Sequence, residues 1–165
     1  MTNNIDFYFD FISPYTYIGH KKIHNENNEI NFIYKPILLG GLHKLWNITP
    51  QAFIKPKKEF MIMDCELISR KYKIDFIFNS NFPLNTIKLM RGCLVLKGEQ
   101  LKKYINLVFE AYWKHNQDVT NFKVLTKILD QIDIDINKFL NQIENIEIKE
   151  KLKTLTNDAF KKDIF

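Results

Sequence analysis

Cysteine is scarce and unpatterned in this chain of 165 residues: Cys65 and Cys93 stand far apart, form no Cys-x-x-Cys and have no histidine at ligand spacing. That argues against a disulfide framework or a zinc site and leaves two core thiols. His20, His24, His43 and His115 likewise fall at no spacing that demands a metal, and none is expected to be catalytic. Arginine is scarcer than the formal net charge of +5 suggests, since only Arg70 and Arg91 occur and the lysines are scattered over polar faces. Bidentate phosphate recognition is therefore poorly served, and no nucleic-acid partner is expected. No apolar run is long enough to span a bilayer, and Met1-Thr2-Asn3-Asn4 lacks the basic and apolar regions of a secretion signal, so no membrane partner and a cytoplasmic location are expected. No repeat or low-complexity tract occurs.

What the chain does have is apolar substance: 45% hydrophobic residues, 14% aromatic, with 14 phenylalanines. That is the composition of a folded globule of ordinary domain size, able to bury a core without staples. Ile5 to Phe11 alternates with its odd positions apolar, the period of a strand. A helix is predicted from Tyr15 to about Asn25, then a polar turn over Asn25–Asn28, then a second strand from about Ile30 to Leu38. Gly40-Gly41 is read as closing this β-α-β unit. Beyond it the period is 3.6, predicting helices over about 57–72, around Ile87–Leu96, along the stripe Leu101, Ile105, Val108, Phe109, Tyr112 and Trp113, and then around Leu125, Phe139 and Leu152. Two parallel strands make a marginal sheet alone, so the fold class expected is α/β, mostly helical, with further sheet strands lacking and the chain ending before the fold does.

Ser13 and Pro14 interrupt the first hydrophobic run. Serine at the N-cap accepts from an early helix amide, and proline at the first helical position gives up an N–H that would have been orphaned. The plain reading is a cap. The same place is also the positive end of a helix dipole, where a hydroxyl donating to a ligand's sulfur would favour the thiolate and lower its pKa from about 8.5.

Around these residues the sequence closely resembles the 2-hydroxychromene-2-carboxylate isomerases and the kappa-class glutathione transferases, of the thioredoxin-like superfamily with an inserted helical domain. The resemblance begins in Asp6-Phe7-Tyr8-Phe9-Asp10-Phe11-Ile12-Ser13-Pro14-Tyr15-Thr16-Tyr17, where Ser13-Pro14-Tyr15-Thr16 stands in place of the Cys-Pro-x-Cys of disulfide oxidoreductases. It continues in order through Pro36-Ile37-Leu38-Leu39-Gly40-Gly41, Asn47-x-x-Pro50, Lys57 before Asp64, Phe82-Pro83-x-Asn85-Thr86, Met90-Arg91, and Ala111-Tyr112-Trp113 before Asp118-Val119.

The resemblance implies a thioredoxin-like part over 1–40, a helical insertion over 41–145, and a helix over 146–165 returning to the thioredoxin-like part. It also implies a lacking Gly-Val-Pro-Thr-Phe segment with two antiparallel strands and a closing helix, and with them half a glutathione site. By position it makes Ser13 the catalytic residue bonding the glutathione sulfur, places Asn47 and Lys57 near the glutathione or substrate carboxylates, and sets Asn85 and Arg91 at the substrate. Lys55 and Lys58 stand close enough to compete with Lys57, Asn47 also reads as a turn residue, Asn85 and Thr86 also read as helix caps, and Arg91 also reads as a surface pair. Tyr17 and Trp113 read as core or pocket wall. The function implied is a glutathione-dependent isomerase of 2-hydroxychromene-2-carboxylate-like substrates, or a related transferase, with glutathione and a small aromatic carboxylate as partners and a homodimer left open. The rival expectations are a truncated, inactive remnant or binding module, and a thiol-disulfide oxidoreductase, which Ser13 and Thr16 disfavour for want of sulfur.

Overall fold

The structure is a computed structural model and describes residues 3–25 and 30–165. Strand β1 (Asn3–Phe9) runs into helix α1 (Pro14–Asn25), and the chain returns as β2 (Ile30–Pro36), parallel to β1 and in register from Asn3 opposite Ile30 to Phe9 opposite Pro36. Among the described residues these two strands are the whole sheet. The polar turn expected over Asn25–Asn28 lies mostly outside the described residues.

Seven helices follow: α2 (Leu39–Leu45), α3 (Lys55–Lys71), α4 (Ile87–Val95), α5 (Gly98–Trp113), α6 (Phe122–Asp130), α7 (Ile136–Ile143) and α8 (Ile146–Lys161), with a 3₁₀ turn at Gln51–Phe53 before α3. The expected helices are present, with boundaries that differ from the reading by no more than a few residues in either direction. Gly40-Gly41, read as a terminator, instead lies inside α2. The reason is tertiary: a Cβ on Gly41 would stand 3.1 Å from the Thr156 methyl, so a bare backbone lets α2 settle on α8. Thr156 reinforces that contact by accepting from the Leu38 amide at 3.0 Å while donating to Leu152 O in its own helix.

The core is built mainly on the apolar face of α5, whose Tyr104, Ile105, Val108, Phe109, Tyr112 and Trp113 are all buried. Phe9 and Phe11 leave β1 to pack there, the Phe11 ring meeting Phe109 edge-on at 4.9 Å. The Trp113 indole N–H donates to Phe11 O at 2.8 Å, and the Tyr17 hydroxyl donates to Asp75 O at 2.6 Å. The chain before Ser13 is thereby tied to α5 through Phe11, and the helix after it to the segment following α3 through Tyr17. Truncating any one of these buried rings to alanine would cost about 3–5 kcal/mol.

Candidate functional site

A cavity of about 800 Å³ opens where β1 hands over to α1. Its walls come from the β1–α1 turn, the start of α2, the 3₁₀ turn with the start of α3, and the loop into α4. Most of the lining is apolar, including Ile12, Leu38, Met61, Phe82 and Leu84, a surface suited to a ring system.

Ser13 stands on this cavity at the N-terminus of α1, nearly buried. Its Oγ accepts from the Thr16 amide at 3.3 Å, which is the expected cap, and Pro14 occupies the first helical position. Capping uses the oxygen as an acceptor and leaves the hydroxyl hydrogen able to donate. The neighbouring hydroxyls are committed: Thr16 donates to Asp10 O and Ser13 O, Tyr15 to Asp64 Oδ2 at 2.9 Å, and Thr86 to Asp10 Oδ1 at 2.6 Å.

Of the three lysines that compete at the start of α3, Lys57 lines the cavity and Lys55 and Lys58 do not. Among the described residues Lys57 forms no ion pair, whereas Lys58 lies 6.0 Å over the Phe82 ring. Asn85 also lines the cavity, exposed, and its Oδ1 accepts from the Ile87 amide at 3.1 Å, so it shapes the start of α4 as well. Asn47 and Arg91 are not brought to the cavity wall. Asn47 takes a left-handed conformation just beyond α2, with φ 53°, its amide donating to Lys44 O; a short polar side chain suits that turn. Arg91 is on α4 and pairs with Glu144 at 3.5 Å, joining α4 to the end of α7. Tyr17 and Trp113 are buried core, as read.

The chain's own sulfurs are unsuited to nucleophilic work. Burial pushes the Cys65 thiol up to about 12 and the Cys93 thiol well above its ordinary value, so both stay protonated.

Two groups at the site escape sequence reasoning. His43, on α2, lines the cavity, and its burial holds its pKa below the ordinary imidazole value. Asp10 is buried at 3% exposure, and that burial raises its carboxyl pKa against three hydrogen bonds that favour the anion. The alternation of β1 places Asp10 with Asp6 on the polar face; Asp6 is indeed at the surface, facing Lys35 at 3.5 Å. The strand ends at Phe9, so the alternation no longer governs Asp10.

The chain matches the family described as DSBA-like thioredoxin domain over residues 4–165. It is similar to the solved structure of a 2-hydroxychromene-2-carboxylate isomerase, with a TM-score of 0.87 at 22% identity over 98% of this chain and 81% of that one. Among curated proteins it is 22% identical to glutathione S-transferase kappa 1 of Rattus norvegicus, over 98% of this chain and 77% of the relative. It is 23% identical to the 2-hydroxychromene-2-carboxylate isomerase of Pseudomonas putida, over 98% and 81% respectively. The fold is thus thioredoxin-like, mostly helical with a small parallel sheet. The chain belongs to the DSBA-like thioredoxin domain family.

Proposed function

We propose that this chain binds glutathione with its sulfur at Ser13 and serves as a glutathione-dependent isomerase of 2-hydroxychromene-2-carboxylate-like substrates, or as a related transferase. The observation that carries this reading is the Ser13 hydroxyl: it caps α1 as an acceptor, retains a hydrogen to donate, and faces a largely apolar cavity. A sulfur accepting that hydrogen also meets the positive end of α1, and both favour the thiolate over the thiol. Bound there, glutathione supplies a nucleophilic sulfur that adds reversibly to a conjugated carbon, so that a former double bond can rotate before the sulfur leaves.

The residues of this chain supply ionisation and orientation. Ser13 holds the negative charge on sulfur, and the apolar walls strip water from it. Lys57 offers a mobile cation to a carboxylate of either partner, and Asn85 offers an amide at the cavity rim. The relatives named as isomerases and as a glutathione transferase support this choice of chemistry. Replacement of the Cys-Pro-x-Cys pattern by Ser13-Pro14-Tyr15-Thr16 speaks against disulfide exchange, which needs a sulfur in the protein.

The test is Ser13→Cys incubated with glutathione disulfide. The new thiol is expected to form a mixed disulfide, releasing one glutathione thiolate, and intact mass would report one adduct while the wild-type chain, with Cys65 and Cys93 buried, reports none. A Ser13→Cys chain that stays unmodified, together with no calorimetric response of the wild type to glutathione, would sink the reading.

A further inference from the structure

We propose that Asp10 is a positioning residue whose carboxylate clamps the starts of α1, α2 and α4 around the cavity and thereby fixes where the Ser13 hydroxyl points. The proposal deepens the thiol reading of the site and rests on it for the ligand's identity.

Each oxygen of the Asp10 side chain meets a different wall. Oδ1 accepts from the Ile12 amide at 3.1 Å, in the turn leading to Ser13, and from the Thr86 hydroxyl at 2.6 Å, just before α4. Oδ2 accepts from the amide of Leu39, the first residue of α2, at 2.9 Å. The main-chain carbonyl of the same residue accepts from the Ser13 amide at 3.0 Å and from the Thr16 hydroxyl at 2.9 Å. Asp10 therefore grips the Ser13 turn through both backbone and side chain while holding the two facing walls.

The capping pattern of the other helices sharpens the point. Away from the cavity, α6, α7 and α8 are each capped by their own Asn121, Asp135 and Asn145, while α5 has no side-chain cap. At the cavity, α2 begins after apolar Leu38 with no side-chain cap, and α4 begins after Thr86, whose hydroxyl goes to Asp10 while the preceding Asn85 takes the Ile87 amide. Local caps would satisfy helix ends more simply; a shared buried carboxylate fixes three elements relative to one another. An uncompensated buried carboxylate is costly, so its three donors are required rather than incidental.

The experiment compares wild type with Asp10→Asn, Thr86→Val and Thr86→Ser. Amide hydrogen exchange is read at Ile12 and Leu39, and calorimetry is run with glutathione and with S-methylglutathione, which has no thiol to ionise. In Asp10→Asn and Thr86→Val, glutathione affinity should fall about tenfold, the loss of one hydrogen bond to a charged group, while S-methylglutathione affinity changes little. Exchange at Ile12 and Leu39 should quicken in Asp10→Asn with the α5 amides still protected, and Thr86→Ser should behave as wild type. Equal losses for both ligands, or unchanged affinity and unchanged exchange in Asp10→Asn, would overturn the proposal. Should the wild type bind neither ligand, the thiol reading fails; the exchange arm then decides the clamp, and unaltered protection of Ile12 and Leu39 in Asp10→Asn refutes it.

Discussion

On the proposed function, Ser13 and Lys57 would act on different terms of the reaction, and steady-state kinetics would separate them. On that reading, Ser13→Ala would delete one charge-assisted hydrogen bond to the bound sulfur, for which about 1.5–3 kcal/mol is ordinary. The expected result is a fall in kcat/KM of about 10- to 100-fold, with the pH at which bound glutathione ionises moving up. Ultraviolet titration of the bound thiolate would check that shift; an unmoved titration would count against a hydrogen bond to sulfur. Lys57 is exposed, so water and salt screen it. Lys57→Gln should raise KM for a carboxylate substrate about two- to fivefold with kcat little changed, and added salt should erase the difference.

The helices that wall the cavity depend on close approach, and α4 shows how little room there is. A Cβ on Gly92 would fall 2.6 Å from both the Phe139 ring and the Tyr104 hydroxyl, on α7 and α5. Both neighbours are fully buried and have nowhere to move. Gly92→Ala should therefore destabilise by about 1–3 kcal/mol despite its better helix propensity, measurable by urea unfolding. Because Thr86 and Asn85 ride on the start of α4, the same variant should also weaken ligand binding at the cavity. The period of α4 and α5 announces their buried faces, yet nothing in the local pattern at Gly92 or Gly41 says that a second helix touches them. Gly41 is the clearer case, since a glycine pair reads as a stop until Thr156, 115 residues later, supplies the contact.

For the molecule as a whole, a buried imidazole remote from the cavity lining contributes to acid sensitivity, and the raised carboxyl of Asp10 opposes it. His20 is 1% exposed, its Nδ1 2.7 Å from the Tyr34 hydroxyl and its Nε2 3.3 Å from Asn106 Oδ1. Burial pushes its pKa down to about 3 from an ordinary 6.5. Its folded pKa is depressed, so the unfolded chain takes up the proton first; stability is full above about pH 6.5 and is lost as pH falls from there towards 3. The slope is about 1.4 kcal/mol per pH unit once well below 6.5. His24 and His43, also lowered by burial, add to it with the same sign. Urea unfolding at pH 7, 6 and 5 should show this loss, and His20→Gln should flatten it over that range, whatever its effect at pH 7. An equal slope in both chains would place the acid sensitivity elsewhere.

The β-α-β opening, the apolar faces of the long helices and the Ser13-Pro14 cap were set by the sequence alone, because period and capping are local and leave a record within a few residues. Lys57 as a cavity-lining cation could be read only among rivals, since a lysine's role depends on what its helix faces. The burial of Asp10, the helix at Gly40-Gly41 and the absence of Asn47 and Arg91 from the cavity wall were decided by tertiary structure. Asp10 takes its donors from residues 2, 29 and 76 positions away, and Arg91 finds its acid at Glu144. Such partners meet only when the chain is folded, so no local pattern records them.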